Sequence, residues 1–562
     1  MTRSVNSVRA LAVALGVGAA VGAAMTFGGA VAWADDGGNP SAEPASPDTA
    51  APSAGATTAS PDAGPTQRPA RGTARAAARP AQTDAAITRA TASSRVVVVP
   101  GQRRATPPTP PTPDRGESPT GLVAGASSMA AWNRRDQPRT APVSDLPARP
   151  TAAVINTAAV TAPTSLASTP LGWVTGQSNK SIPGWNWPQT NNTKGFGIYG
   201  TDLGIMWFNG VNGYTQLAFG DTFSAPNMTG DWRSNVLLLS DDTNLTDGLS
   251  LIPTGYAYQF IPAARNEVFF IGSEVTNIPT AAAYVNGENY VNYMSVKSWD
   301  TPGRWTTNYS AVSMYDDATN KWVLQRSTVR SAGWFRSSTP YVAGSQNFQQ
   351  MAYVLEPESK VTPGDTRYLY AFGTPAGRAG SAFLSRVPET AVTDLGRYEY
   401  WDGKSWVLDK PAVAAAVLGD STHSAGILGF IVDIANDPNF FGGFFAGLIG
   451  AKTGGNVSEL SVQYNEFLDK YVVLYGNGLN NVVLRTADSP EGPWSTPVTI
   501  ATSLQYPGLY APMVHPLSGT GQLVDDAGEP DLNNLYWNMS LWGNYNVALM
   551  QTDLSPLNLS LA

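Results

Sequence analysis

From about residue 171 onward the chain falls into short apolar runs rich in Val, Tyr, Phe, Trp and Leu, separated by Gly, Asn, Asp and Pro turns. Runs of this kind between turn residues read as β-strands. They lie at 203–208, 215–219, 235–240, 267–272, 290–296, 309–315, 321–325, 351–355, 367–372, 381–386, 471–475, 481–486, 535–540 and 545–550. Apolar positions at helical spacing are scarce. The pattern predicts an all-β domain.

A loose repeat runs through it. "YDDATNKWV" (315–323), "WDGKSWV" (401–407) and "YNEFLDKYVV" (464–473) each place an aromatic, a polar turn with Asp and Lys, then an aromatic and Val. Each predicts an outer β-hairpin closing one unit of a repeating fold. "RTADSPEGPWSTP" (485–497) resembles the turn between the outer strands of a glycosidase-type propeller blade. Setting aside an apolar stretch at 411–455 leaves about 69 residues for each of five units, enough for four strands with long loops. The expectation is a five-bladed β-propeller, with a jelly roll or large sandwich as the competing architecture. The stretch itself contains "AGILGFIVDIANDPNFFGGFFAGLIGA" (425–451), interrupted by Asp433, Asn436 and Asp437. Those polar residues argue against a transmembrane span. Two short helices packed on the propeller are expected, and the sharper alternative is an apolar surface meeting envelope lipid or a protein partner.

Composition divides the chain of 562 residues. Residues 35–170 hold 21 of the 43 prolines and a single aromatic, Trp132, so they cannot build a core and are expected to be disordered. The run "TPPTPPTP" (106–113) favours polyproline II, which suits a semi-extended spacer. Residues 171–562 hold 53 of the 56 aromatics and read as one large globular domain. Residues 1–34 read as an export signal. Arg3 and Arg9 precede an apolar stretch at 10–31, and Ala32-Trp33-Ala34 offers a cleavage site. An uncleaved membrane anchor is the alternative; either way the domain works outside the cytoplasm, secreted or in the envelope. The folded part carries 20 basic against 33 acidic residues, which disfavours nucleic acid as a partner. There is no cysteine, so disulfides and thiolate chemistry are excluded, and with only His423 and His515 no multi-histidine metal site is expected. No cofactor is called for.

The candidate chemistry sits in "YGTDLGIMWFNGVNGYTQLAFGDTF" (199–223), which reads as strand, turn, strand. With the turn centred between Val211 and Asn212, the numbers of opposing residues total 423 in an unbulged pair. Asp202 then stands directly opposite Asp221, on the same face, with Cβ atoms about 4.5–5.5 Å apart. Like charges so placed destabilise a sheet, and one carboxyl should hold its proton. A fold has no need of this, whereas glycosyl transfer needs one protonated and one ionised carboxyl. A strand-end pair of solvated aspartates is the bland alternative.

At these residues the chain resembles a known family. "TDLG" (201–204), "FGDT" (219–222), "DWRSNVL" (231–237) and "LYWNMSLWGNYNVALMQTDL" (535–554) are similar to the actinobacterial endo-D-arabinanases, secreted glycoside hydrolases long classed as a domain of unknown function. The resemblance covers most of 171–562, apart from the apolar insertion. It implies a five-bladed propeller with a catalytic Asp pair in the first blade, and cleavage of internal α-D-arabinofuranosyl linkages in mycobacterial arabinogalactan and lipoarabinomannan. Asp202 and Asp221 fall on the paired positions. Analogy with other furanosidase propellers gives Asp202 as base and Asp221 as acid, with the reverse order left open, and inversion is preferred over retention. The competing function is a non-catalytic carbohydrate-binding propeller docked on envelope polysaccharide.

Further residues are candidates for holding substrate. Arg233 could grip a sugar hydroxyl or orient a carboxylate, with a plain ion pair as the alternative. Glu274 ends an apolar strand and could face the cleft, and Glu459 precedes a strand of the expected fourth blade and could tune the acid, with a satisfied structural role as the alternative for each. His515 could line a central pocket. Trp232, Trp299, Tyr510 and Trp542 could stack on sugar faces, although most aromatics here must be core. Two look-alike motifs are set aside. "NDPNF" (436–440) echoes fructan-cleaving propellers but lies inside the apolar insertion. "DDTNLTDG" (241–248) lacks the EF-hand spacing.

Overall fold

A computed structural model describes residues 163–176, 185–264, 268 and 274–558. The expected export signal (1–34), the expected tether up to residue 162, and all of the expected strand at 267–272 except Val268 lie outside the described residues. The described chain is mostly β with few helices.

Strand β1 (Ser168–Trp173) comes first and is used last. The first sheet contains β2 (Leu203–Asn209), β3 (Tyr214–Phe219) and β6 (Val236–Ser240). A separate hairpin of β4 (Thr222–Ala225) and β5 (Thr229–Arg233) rises between β3 and β6. The second sheet is β7 (Thr276–Val285), β8 (Glu288–Thr301), β9 (Arg304–Asp316) and β10 (Lys321–Ser331). The third runs β11 (Gln350–Leu355), β12 (Tyr368–Thr374), β13 (Ala382–Pro388), β14 (Glu399–Trp401) and β15 (Trp406–Leu408), with β16 (Ala416–Leu418) also on β13. The fourth is β17 (Leu460–Asn465), β18 (Lys470–Gly476), β19 (Val482–Ala487) and β20 (Val498–Ala501). The fifth is β21 (Leu509–Val514), β22 (Asn534–Leu541) and β23 (Asn546–Asp553), and β1 pairs antiparallel to β23 at its outer edge.

The first strands of the five sheets are neighbours in a cycle: β2 beside β7, β7 beside β11, β11 beside β17, β17 beside β21, and β21 beside β2. Five apolar clusters fill the gaps between consecutive sheets, and the cluster between the first and second also takes in Tyr510 and Met513 of the fifth. This explains why the strands read as unbroken apolar runs. Successive side chains of a strand point to opposite faces, and here both faces are covered. On β22, Leu535, Trp537 and Met539 enter the gap toward the fourth sheet, while Tyr536 enters the gap toward the first. Each buried large side chain contributes about 1.5–3 kcal/mol of transfer free energy.

The outer hairpins expected at 315–323 and 401–407 are the β9–β10 and β14–β15 turns. The segment 464–473 differs: it joins the first two strands of its sheet, β17 and β18, so the same turn chemistry serves an inner position. The 411–455 stretch is only partly an insertion, since β16 adds to the third sheet. Beyond it lie two short helices, α1 (Gly429–Asn436) and α2 (Ala446–Ile449). They are fastened by Trp334, whose Nε1 donates to the Phe444 carbonyl at 2.9 Å, and by Gln346 Nε2, which donates to Asn436 Oδ1 at 3.0 Å. Ile427, Phe430, Phe441 and Leu448 remain exposed. At the base of the excursion, the Ala425 N–H donates to the Thr453 carbonyl at 2.7 Å. Among the described residues no helix is long and apolar enough to cross a membrane.

The β2–β3 register decides where the carboxylates go. From Ile205↔Ala218 to Asn209↔Tyr214 it follows the turn as expected. A bulge at Leu203–Gly204 then shifts it, and Leu203 pairs with Phe219. Asp202 therefore faces Gly220, whose N–H donates to the Asp202 carbonyl at 3.1 Å, and not Asp221. The direct cross-strand opposition expected from the sequence is absent for this reason. Leu203 and Gly204 both have φ near +70°, and the bulge is held from the fifth sheet. Asn538 Nδ2 donates to the Gly204 carbonyl at 3.0 Å, and the Leu203 N–H donates to Ser540 Oγ at 2.9 Å.

A methyl group on Gly204 would come within 2.7 Å of Asn538 Nδ2 and 3.2 Å of Phe219 Cε1. Gly204→Ala is expected to cost roughly 1–3 kcal/mol through strain at this φ and the clash. Urea denaturation of the variant beside the native chain checks this, and an unchanged midpoint refutes it.

Candidate active site

Asp202 immediately precedes β2, and Asp221 lies between β3 and β4. Although not paired across the ladder, the two carboxyls are close enough for the charge of Asp221 to act on Asp202. Groups from other sheets complete their surroundings. Thr276, the first residue of β7, donates from Oγ1 to Asp221 Oδ1 at 2.7 Å, and Trp232 on β5 donates from Nε1 to the same oxygen at 2.9 Å. Tyr510 at the start of β21 donates its hydroxyl to Asp202 Oδ2 at 2.9 Å. Asp202 Oδ1 is buried and meets no hydrogen-bond partner among the described residues. Gly220 makes room for it, because a Cβ there would stand 2.4 Å from that oxygen.

The two carboxyls differ in proton affinity. Burial, and then the charge of Asp221, push Asp202 up to about 8, with Glu459 adding to the rise and Tyr510 and Arg378 opposing it. Burial pushes Asp221 up to about 6, while the Thr276 and Trp232 hydrogen bonds pull it back. Between these values Asp202 holds a proton and Asp221 is a carboxylate. Tyr545, buried beside both, has its hydroxyl driven well above the usual tyrosine range by burial and by the charges of Asp202 and Asp221, so it stays a neutral phenol.

Glu459 lies just before β17 and is held by Arg378 of the β12–β13 connection, with Nη2 to Oε1 at 2.8 Å and Nε to Oε2 at 3.0 Å. The remaining expected residues divide clearly. Trp542 is exposed and meets Tyr545 edge-on at 5.7 Å and Tyr510 at 6.4 Å, at the rim of the pair. Trp299 is exposed on the β8–β9 hairpin against Trp305, over which Arg378 lies at 5.8 Å. Tyr510 is buried and binds Asp202 by its hydroxyl, so it is not an open stacking face.

Three of the expected residues make hydrogen bonds to groups other than the Asp pair. Arg233 is buried, and its guanidinium donates to the carbonyls of Ala257 and Gly197, both at 2.5 Å, beneath the Tyr256 ring. It clips two loops together. Glu274, just before β7, is buried and accepts from Ser295 Oγ at 2.6 Å. His515 follows the far end of β21 from Tyr510, on the order of 15 Å away along the strand. Burial lowers it to about 3, so it is neutral. Among the described residues no group of three His, Asp or Glu side chains gathers to hold a metal. Sequence reasoning missed Thr276, Arg378 and Tyr545. Only Arg378 carries a local signal, as the lone charge in the Gly- and Ala-rich "GTPAGRAGSA" (373–382).

Both carboxyls bind protons more tightly in the folded chain than in the unfolded one, where Asp titrates near ~3.9. Between about pH 4 and pH 8 the folded state holds more protons, so stability falls as pH rises through that window. Asp202→Asn removes the larger share of that fall. Its stability relative to the native chain should therefore be higher at pH 8 than at pH 5, measured by urea denaturation; parallel behaviour at both pH values would refute the shift.

Comparison with known proteins sets the chain in context. No curated protein sequence matches it. Solved structures that resemble it include a candidate hydrolase of Bacteroides ovatus at 13% identity, covering 65% of this chain and 88% of that one, with a TM-score of 0.39. A native arabinanase of Bacillus subtilis follows at 11%, covering 63% and 96%, with a TM-score of 0.32. An α-L-arabinofuranosidase of Podospora anserina is 12% identical, covering 70% and 98%, with a TM-score of 0.33. The profile of one family, described as "Domain of unknown function (DUF4185)", matches residues 188–428 and 448–551 and passes over the stretch holding all of α1 and the first half of α2. That match spans more than half of the sequence, and the chain belongs to the DUF4185 family.

Proposed function

We propose that this protein is an exported glycoside hydrolase that cleaves internal α-D-arabinofuranosyl linkages of cell-wall arabinan, and that its five sheets are the blades of a five-bladed β-propeller. The observation that carries the reading is the Asp202–Asp221 pair, two interacting carboxyls at one end of the β2–β3 hairpin, Asp202 held by Tyr510 and Asp221 by Thr276 and Trp232. Glycosidic cleavage by two carboxyls needs one protonated and one ionised.

The roles follow from the surroundings. Asp202 is the acid: it keeps its proton near neutral pH, and its buried Oδ1 is uncommitted. Asp221 is the base: two donors stabilise its carboxylate. This reverses the order given by analogy. As the bond from the anomeric carbon to the bridging oxygen breaks, Asp202 passes its proton to that oxygen. Asp221 takes a proton from the attacking water, and the anomeric centre inverts through an oxocarbenium-like transition state. Trp232, Trp299 and Trp542, all exposed, come from three different sheets around the pair. They offer apolar faces to sugars on either side of the cut, which suits action inside a polymer.

The test is to incubate the full-length chain with arabinogalactan and measure released arabino-oligosaccharides, beside Asp202→Asn and Asp221→Asn. The native chain should release them, with kcat/KM rising through about pH 6 and falling through about pH 8. Each variant should lose roughly 10²–10⁴-fold in rate while staying folded. Binding of the polymer without release by the native chain would make the protein a carbohydrate reader instead, and variants of undiminished rate would remove the Asp pair from catalysis.

A further inference from the structure

The Arg378–Glu459 pair lies beside Asp202, and no reacting atom is assigned to it. Its geometry is specific. Arg378 leaves the third sheet on the β12–β13 connection, and its own N–H donates to the Gly303 carbonyl in the β8–β9 turn at 2.9 Å. The preceding Gly377, at φ +89°, allows this approach, since a Cβ there would stand 3.1 Å from that carbonyl. The guanidinium then reaches Glu459 of the fourth sheet through Nε and Nη2. It lies 5.0 Å over the ring of Tyr510 from the fifth sheet. Tyr510 in turn donates to Asp202 of the first. Arg378 thus joins four of the sheets, and Tyr510 carries the connection on to Asp202 of the first.

We propose that Arg378 and Glu459 form a positioning pair that seats the Tyr510 hydroxyl on Asp202 and balances the charge around that carboxyl. This rests on the reading of Asp202 as proton donor. The charged and titratable groups facing Asp202 are Asp221, Glu459, Arg378, Tyr510 and Tyr545. Glu459 favours the proton on Asp202, Arg378 favours its departure, and the two act in opposition. Neither partner can be lost without leaving the other's charge unopposed beside the acid. The two single substitutions therefore have opposite signs. Glu459→Gln leaves the cation, so Asp202 releases its proton at lower pH. Arg378→Met leaves the anion and unseats Tyr510, so Asp202 holds its proton to higher pH.

The experiment uses the full-length chain with ¹³C-labelled aspartate carboxyls, the Asp202 signal being identified by its loss in Asp202→Asn. Its titration is followed by NMR, and kcat/KM on arabinan is followed against pH in parallel. Glu459→Gln should lower the Asp202 midpoint by about one pH unit, a tenfold change in proton affinity, and Arg378→Met should raise it by a similar amount. The double variant should return close to the native value, and Arg378→Lys, which keeps the charge, should fall between the native chain and Arg378→Met. The descending limb of the activity profile should move with the NMR midpoint. Single variants that are folded yet leave the midpoint unmoved, or move it in the same direction, overturn the positioning pair. If the native chain cleaves no arabinan while the opposed NMR shifts are seen, the pair stands and the hydrolase reading falls.

Discussion

The architecture depends on one antiparallel pairing, that of β1 with β23, which ties residue 168 to residue 552. A sheet buried on both faces needs a neighbour on each side, and a row of such sheets always ends in two uncovered faces unless it returns on itself. Here the five gaps follow one another from sheet to sheet and back to the first. The fifth sheet, which bridges the return, takes its outermost strand from the opposite end of the described chain. Trp173 of β1 packs in the same cluster as Trp537 and Leu484, so the strand brings apolar cover as well as backbone hydrogen bonds. Contacts this distant in sequence are expensive in chain entropy. They are repaid by the large apolar area that closes over β23.

The same cyclic arrangement collects the polar groups. Asp202, Thr276, Glu459 and Tyr510 each sit at the beginning of the first strand of a sheet. Neighbouring first strands bring those beginnings together at one end, where Asp202 and Asp221 are half-buried. Burial by itself favours the protonated form of both carboxyls. Burial and the charge of Asp221 raise Asp202 the further of the two, while two side chains donating to one oxygen pull Asp221 back. The chemistry is thus written in the hydrogen bonds as much as in the carboxyl groups themselves.

Much of this was legible in the sequence. Periodicity located most strands because both strand faces are apolar, and the Gly210–Gly213 turn gave the right register for five consecutive pairs. It failed at Leu203, because nothing in a leucine announces a positive φ; the cause lies in Asn538 and Ser540, more than 330 residues away. β1, β4, β5, β7, β16, β20 and β21 went unmarked, β4 and β5 because they are short, polar hairpin strands at the surface of the first sheet. Asp202, Asp221 and Glu459 were legible as acids in apolar surroundings. Arg233, Glu274 and His515 drew attention by the same rule, and the hydrogen bonds they make run to two carbonyls, to Ser295 and Tyr309, and to the Leu517 N–H. Residue type reveals that a polar group is costly to bury, and only the fold reveals what offsets the cost. Thr276 and Tyr545 have side chains too common in such a sequence to stand out.

The helical excursion after β16 has a consequence of a different kind. Its two ends, Ala425 and Thr453, meet through a single backbone hydrogen bond, and the family profile passes over its centre. A segment whose entry and exit points already touch imposes no span on the sheets below. Its length and composition are therefore free to drift while the strands on either side keep their register. The scaffold can thus carry an outgrowth of another size or surface at this position without moving the strands that hold the carboxyl pair.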